Sequence, residues 1–475
     1  MSLRVYDNLT REKRTFEPVR PGQVGMYVCG MTVQDKPHVG HMRAAIVGDL
    51  LRRHLLHSGY KVTFVNNFTD VDDKIIERAR EEGIDYRRIA ERNMQAYLAY
   101  VKLLGILPAD HYPLATEHIP EILDLIGVLV QKGVAYPAGG DVYFRVEAFP
   151  EYGKLSGRRV DELRSGARIE IGEHKESPLD FALWKGAREG EPSWPSLWGD
   201  GRPGWHIECS AMSMKYLGPR FDFHGGGLDL IFPHHENEIA QSEAATGQSF
   251  VDFWVQNGLV LLGGEKMSKS TKHFFLIEDV CARVEPRIIR YYLLSTHFRS
   301  PIEFSEERLA EAGQALGRLT QAVQSAEEIV GPAGTGEVEE YREDAAGSTE
   351  AREAYRLFHE AMDDDFNSAR ALGHLFDLAR TMNRWIAEGE TGSEARQAVA
   401  GGRRTLLHLA GVLGLDLASP GEICVPPHVE ELVRRRGEAR ARKDWAEADR
   451  LRKEIAAAGY VLEDRGGRTV VRTDR

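Results

Sequence analysis

The sequence predicts an α/β protein, a Rossmann-like parallel sheet interrupted by an insertion and followed by helices. Three observations predict it. Strand-like and helix-like patterns alternate over about the first 110 residues. That alternation breaks off between Thr116 and Pro203 and resumes around Trp205, and beyond Ser305 nearly every window has helical spacing.

Taken in order, residues 24–29 form a short apolar run, 42–57 have the apolar spacing of a helix, and 61–66 are strand-like again. Strand, helix, strand implies parallel pairing, with ligand sites at the carboxyl ends of the strands, where Cys29 and residues 66–70 fall. The interrupting segment predicts a helix over 119–132, short strands such as 142–146, and turns rich in Gly and Pro. The α/β pattern then runs to Lys272. A Gly/Glu-rich stretch over 331–348 reads as a loop or linker, and helices are expected over 351–362, 368–387, 393–410, 427–442 and 445–458. The tail, 460–472, is expected to pair as a hairpin around Gly466-Gly467. The expected domains are 1–115 and 204–304 for the two halves of the sheet domain, 116–203 for the insertion, 305–425 for a helical bundle and 426–475 for a terminal unit.

Composition excludes several classes. The 475 residues are 42% hydrophobic and 28% charged, ordinary values for a globular chain of several domains. No apolar run approaches the ~18 residues needed to span a bilayer, so no membrane role is expected. Residues 1–20 lack the pattern of a secretory signal, which makes the cytoplasm the expected compartment. Four cysteines in so long a chain form no disulfide framework. The net charge of −12 argues against a polyanionic partner, yet from Glu431 to Arg475 there are 13 Lys/Arg against 9 Asp/Glu, so a nucleic-acid footprint at that end is permitted.

Three constellations carry chemistry. Pro37-His38-Val39-Gly40-His41 stands at the expected start of a helix, where imidazoles, backbone N–H groups and the helix dipole can receive phosphates and Gly40 lets a nucleotide approach. Alone, so short a motif reads as loop packing. The second, Lys266-Met267-Ser268-Lys269-Ser270, follows Gly263-Gly264-Glu265 and offers two lysines on a Gly-flanked loop to a triphosphate whose charge moves toward the leaving group. Alone, this is a solvated basic turn. Both motifs in one chain, in this order and more than 200 residues apart, mark a class I aminoacyl-tRNA synthetase. The third is a candidate metal set: Cys29, Cys209, His234 and Glu238, the last two four residues apart and hence on one face of a helix. Two thiolates, an imidazole and a carboxylate suit zinc, although spacing alone does not certify ligands drawn from such distant points. His235 and Glu236 are expected to point away from that face, and Cys281 and Cys424 to be ordinary core or surface thiols.

At this level the chain resembles the cysteinyl-tRNA synthetases in particular. The resemblance runs through residues 27–30 (YVCG), 66–74 (NNFTDVDDK), 204–212 (GWHIECSAM), 222–243 (DFHGGGLDLIFPHHENEIAQSE), 266–270 and 363–380, and covers nearly the whole chain. It implies one Zn2+ per subunit on Cys29, Cys209, His234 and Glu238, against which L-cysteine binds as thiolate and near-isosteric serine is rejected. It places Thr69 and Trp205 in the cysteine pocket, with His206 and Asp229 around the aminoacyl-adenylate. ATP, with Mg2+, is implied to meet His38, Gly40, His41, Lys266, Lys269 and Asp229. His38, His41, Lys266 and Lys269 are the implied catalytic residues for adenylate formation, after which the cysteinyl group passes to the terminal adenosine of tRNA(Cys). Asp70, Asp72 and Asp73 are expected to position chain and ligand rather than to act as acid or base.

The C-terminal helices resemble the family's tRNA-reading part, with a bundle and then an anticodon-binding domain in which Arg434, Arg442, Asp444 and Asp449 are the implied contacts. Met31, Gln34, Thr271-Lys272-His273 and Val470-Val471 depart from the family's usual residues, while every implied zinc ligand is in place. Two other readings are weighed: a related ligase joining cysteine to a small amine, as in the mycothiol pathway, and a catalytically silent tRNA-binding paralogue. The terminal unit argues against the first and the intact motifs against the second. No heptad seam calls for a partner helix, so a monomer is expected.

Overall fold

A computed structural model describes residues 2–160, 174–266, 275–331, 347–388, 392–418, 427–457, 460–465 and 468–473. The chain starts with a hairpin, β1 (Arg4–Asp7) and β2 (Glu12–Thr15), and enters the main sheet with β3 (Gln23–Thr32), α1 (Val39–His57) and β4 (Lys61–Thr69). β3 and β4 pair in parallel from Gln23↔Lys61 to Thr32↔Thr69. Both are buried over most of their length on both faces, as central strands of a parallel sheet must be. Helices α2 (Asp73–Glu82) and α3 (Tyr86–Leu103) follow, each capped by an aspartate, Asp72 or Asp85, that accepts from a first-turn backbone N–H.

The insertion holds α4 (Ile119–Gln131) and an antiparallel sheet of β5 (Ala135–Ala138), β6 (Asp141–Phe144), β7 (Phe181–Gly186) and β8 (Gly201–Pro203), in the order β5-β6-β7-β8. The strand expected to reach Val146 stops at Phe144, because Val146–Ala148 turns into a short 3-10 helix. The main sheet then resumes with α5 (Trp205–Leu217), β9 (Phe221–Gly227), α6 (Glu236–Thr246) and β10 (Val251–Asn257). Its order is β10-β9-β3-β4, every pair parallel. The first crossover leaves β3 in one direction and the next returns to its other side, so the strand order reverses between β3 and β9, the place where open α/β sheets hold ligands.

Short strands β11 (Val260–Leu262), β12 (Glu265–Lys266) and β13 (Ile302–Glu303) flank α7 (Ile277–Cys281) and α8 (Pro286–Leu294). The bundle comprises α9 (Glu306–Val330), α10 (Thr349–Asp363), α11 (Ser368–Ala387) and α12 (Ser393–Val412), and the terminal unit α13 (Pro427–Ala441), α14 (Trp445–Ala457) and the antiparallel hairpin β14 (Tyr460–Arg465) and β15 (Arg468–Thr473). Most of the linker expected over 331–348 lies outside the described residues.

One apolar core runs from the sheet into the bundle. It joins Val24, Val28 and Phe223 through Ile46 and Leu50 of α1 to Leu316, Phe358, Leu375 and Leu406 of the bundle. Buried polar links reinforce this seam: Arg290 on α8 pairs with Asp49 on α1 and donates from Nε to the carbonyl of Leu413 at 2.9 Å, and His54 Nε2 lies 2.9 Å from Asp363 Oδ1. The terminal unit has a core of its own, built on Val429, Ile455, Tyr460 and Leu462. Among the described residues no helix is long and apolar enough to cross a membrane.

Candidate functional site

Cys29 stands near the end of β3 at the reversal point. A Cβ on residue 30 would fall 1.5 Å from the carbonyl oxygen of Asn67, so only glycine permits this approach of β3 to β4. The ladder slips between Val28 and Met31, and Gly30 N donates to Asn67 Oδ1 at 2.9 Å. Cys209 comes from the second turn of α5, His234 from the last turn before α6 and Glu238 from the first turn of α6. The four ligand atoms lie within 4.8 Å of one another, and all four residues are buried. Cys29 Sγ is 3.8 Å from Cys209 Sγ and 3.5 Å from Glu238 Oε1, and His234 Nε2 is 3.0 Å from Glu238 Oε1.

The electrostatics show how strongly the four groups interact. A hydrogen bond from Cys29, working against burial, brings the Cys209 thiol down to about 6. Burial, and then Cys209 and Glu238, push Cys29 well above the usual thiol range. Burial pulls His234 down, but the Glu238 carboxylate and Cys209 outweigh it and raise the imidazole to about 10. Burial opposes ionisation of Glu238, yet His224 and His234 hold it well below the carboxylate range. Two negative groups and one positive group, closed off from water, are costly to leave unmatched, and a divalent cation displacing the protons of Cys29 and His234 would match them. The sulfur–sulfur distance of 3.8 Å is about the edge of a tetrahedron built on bonds of ~2.3 Å. The cluster is compatible with a metal ion.

Around the quartet stands a ring that the sequence did not reveal. His224 Nε2 holds Glu238 Oε2 at 2.9 Å, leaving Oε1 to face His234 and Cys29. Its Nδ1 meets no hydrogen-bond partner, which puts the proton on Nε2. His206 Nδ1 lies 3.0 Å from His234 Nδ1, so His206 abuts a candidate ligand. His235 corrects an expectation: instead of pointing away, its Nε2 lies 3.5 Å from Cys29 Sγ, with Gln256 Nε2 3.1 Å from its Nδ1. The helical-wheel argument failed there because α6 begins only at Glu236 and Phe232 is non-helical. Glu236 does face away, accepting from Ser156 N at 2.8 Å. His224, inside a strand and bonded to a residue on the following helix, offered no periodic signal.

Trp205, 37% exposed, sets its ring 4.4 Å from that of His234 and forms the lip of the site. Thr69, at the end of β4, donates from Oγ1 to Glu208 Oε2 at 2.8 Å. Asp229 lies exposed in the turn that follows β9. Asp70 accepts from Thr116 N, Asp72 caps α2 through Lys74 N, and Asp73 pairs with Lys185 and Arg202. All three are thereby engaged in positioning the chain.

At the start of α1 the rings of His38 and His41 stack 3.6 Å apart, and His41 Nδ1 accepts from His38 N at 3.2 Å. Lys266 closes β12, which pairs with β11, while Val39 N donates to the Phe275 carbonyl and Ile277 N to that of Pro37. The segment's later end is thus tied to the His motif, and its start to β11. Lys269, like Thr271-Lys272-His273, lies outside the described residues. In the terminal unit Arg434 and Arg442 are exposed on and just after α13, Asp444 accepts from Glu447 N at 3.1 Å, and Asp449 is exposed on α14. Arg434 pairs with Glu431 and Glu438 of its own helix. Cys281 is buried in the main core, and Cys424 and Val470-Val471 fall where no side chain is described.

Residues 15–314 match the model of the tRNA synthetases class I (C) catalytic domain, 357–418 that of the DALR domain, and 425–472 that of the cysteinyl-tRNA ligase anticodon binding domain. The chain is 49% identical over 477 residues to a cysteine–tRNA ligase of Geobacter metallireducens and 50% identical over 475 residues to one of Heliobacterium modesticaldum, covering 98% of each chain in both cases. Among solved structures, a Mycobacterium tuberculosis methionyl-tRNA synthetase in complex with methionyl-adenylate superposes with a TM-score of 0.60 at 17% identity, over 82% of this chain and 89% of that one. A putative arginyl-tRNA synthetase of Campylobacter jejuni gives 0.55 at 14% identity, over 83% and 93%.

Proposed function

This chain belongs to the cysteine–tRNA ligase family, a class I synthetase acting on ATP, an amino acid and tRNA, and from that premise we propose how its residues divide the work. Cys29, Cys209, His234 and Glu238 hold zinc, the reading that four convergent buried ligand atoms support best. A zinc ion there would supply a thiophilic Lewis acid, so that cysteine is distinguished from serine by the sulfur rather than by shape. His224 and His206 orient Glu238 and His234 from behind. Trp205 and Thr69 flank the bound amino acid.

The adenylation step places the cysteine carboxylate in line with the α-phosphorus of Mg2+-bound ATP. His38 and His41, at the amino end of α1, receive the phosphates with the help of the helix dipole, Gly40 lets the nucleotide approach the backbone, and Asp229 lies at the rim beside it. Lys266 and Lys269 stabilise the charge that develops toward the leaving pyrophosphate. The carboxylate is already a nucleophile, so no strong general base is required. The acyl group then passes to the terminal adenosine of tRNA(Cys), whose anticodon we place on the terminal unit with Arg434, Arg442, Asp444 and Asp449 as contacts. The division into 1–115 with 204–304, 116–203, 305–425 and 426–475 follows these tasks. We read the enzyme as a cytoplasmic monomer, which light scattering on purified protein tests.

Metal analysis combined with cysteine-dependent pyrophosphate exchange and acylation of tRNA is the deciding experiment. The expected result is one zinc per chain and both activities. Exchange without acylation would favour transfer to a small amine, which the matched anticodon binding domain argues against.

A further inference from the structure

The quartet draws Cys209 from α5, His234 from the turn before α6 and Glu238 from α6 itself, so its shape depends on how those two helices sit against each other. They meet partly through small apolar side chains, with Ala211 and Ala240 in one buried cluster. Apolar burial is non-directional and brings helices together without fixing their register. Polar contacts across the pair supply the register. Gln241, one turn after Glu238 and fully buried, donates from Nε2 to the carbonyl of His206 at 3.0 Å and to Ser210 Oγ at 3.0 Å, both on α5. Ser210 Oγ in turn lies 3.4 Å from the carbonyl oxygen of Glu238.

The directions of these bonds follow from the groups themselves and from no state of charge. A carbonyl has no proton to give, so the His206 carbonyl turns the amide N–H groups of Gln241 toward α5. One of them meets that carbonyl and the other reaches Ser210 Oγ, which leaves the serine proton for the Glu238 carbonyl. The backbone sites gripped in this way belong to Glu238, a candidate ligand, and to His206, one turn before Cys209, whose ring abuts that of His234 at 3.0 Å. Gln241 Oε1 is buried and meets no donor among the described residues, so making the two bonds leaves an oxygen unmatched. An amide placed on those terms adds little net stability and calls for another reason. We propose, on the reading of the quartet as a zinc site, that Gln241 is a positioning residue: together with Ser210 it locks α5 to α6 at the spacing at which Cys209, His234 and Glu238 meet one tetrahedral ion.

Gln241→Met keeps the length of the side chain and the helix while removing both bonds. The variant still takes up one zinc per chain, but chelator competition shows an affinity lower by roughly 10- to 100-fold, the range for residues that orient ligands from outside. In the cobalt-substituted protein the visible ligand-field bands shift, because they report the symmetry around the ion. KM for cysteine rises and KM for ATP does not. The Tm of the metal-free protein stays where it was, since loss of the two bonds is offset by removal of the unmatched oxygen. Ser210→Ala breaks only the middle of the relay, so it gives a smaller loss of zinc affinity, and combining it with Gln241→Met adds little further. It also serves as the test should the methionine variant fail to fold. Unaltered zinc affinity with an unaltered cobalt spectrum, a fall in affinity accompanied by a clear drop in the metal-free Tm, or full additivity of the two substitutions would overturn the proposal. Absence of zinc from the unsubstituted protein, or its retention in Cys209→Ala, would instead overturn the reading of the quartet itself.

Discussion

On the proposed reading, the buried quartet and the terminal unit would recognise by opposite means. In the cluster, Cys29, Cys209, His234 and Glu238 come from four separate places in the chain, are buried, and are each held by further buried groups. In the terminal unit, Arg434, Arg442 and Asp449 stand exposed on or beside short helices, and among the described residues Arg434 pairs with glutamates of its own helix. A single sulfur atom offers little surface to recognise, so discrimination there would depend on placing a few groups accurately away from water. A polyanion offers many phosphates and bases, so each contact can be loose and individually small.

That contrast can be broken or sharpened by substitution. The largest effect is expected for Cys209→Ala, which removes a ligand and should abolish stoichiometric zinc and lower cysteine-dependent exchange by far more than the roughly 10- to 100-fold typical of outer partners. Metal content by atomic absorption, read beside exchange rates, checks it; retained zinc with full activity would place the ion elsewhere. His224→Ala comes next, since Glu238 keeps its carboxylate but loses the hydrogen bond that orients it. Its zinc affinity should fall about 10- to 100-fold, measured by chelator competition.

A third test uses pH in metal-free protein. His234 is raised to about 10, so the stability it contributes is present below its ordinary value of 6.5 and is lost as pH rises through 10. Cys209 is lowered to about 6 from 9, so its contribution grows as pH rises from about 6 to 9 and opposes that loss. Cys29, raised, holds its proton where the unfolded chain would release it and destabilises above 9. The metal-free protein should therefore hold its Tm between about 6.5 and 9 and lose roughly a few degrees on going to 10, while the zinc form stays flat. Calorimetry on both forms checks the window. The smallest effect is expected in the terminal unit, where Arg434→Ala should leave Tm essentially unchanged. It should raise KM for tRNA a few-fold, more at low salt than at high, and leave exchange untouched. A loss of exchange would show that this unit is not a separate reader.

The same contrast governs what could be read from sequence. The strands at Cys29 and Asn66 show as apolar runs because both their faces are buried, and the helices of the bundle show in periodicity because each buries a stripe. The His and Lys motifs show because each is a run of neighbours along the chain. The quartet could be named as a candidate from its donor types and the His234/Glu238 spacing, but only the resemblance tied the four together, since no local pattern joins residues 29, 209, 234 and 238. Its outer ring was missed for the same reason: His224 lies inside a strand, and His235 occupies a turn that departs from the regular helix on which its direction was judged. Where contacts are made across the sheet, sequence spacing carries no information about them.

The continuous apolar core between sheet and bundle decides how this chain can be dissected. A fragment ending at residue 304 would strip Leu316, Phe358, Leu375 and Leu406 from the core they share with α1 and leave Arg290 without the Leu413 carbonyl that anchors it. The unit beginning at Pro427 carries its own apolar centre, so it can be trimmed, exchanged or grafted without taking α1 apart. Any evolutionary or engineered change of anticodon reader is therefore easiest at the junction just ahead of Pro427, and a minimal adenylating enzyme must keep its bundle.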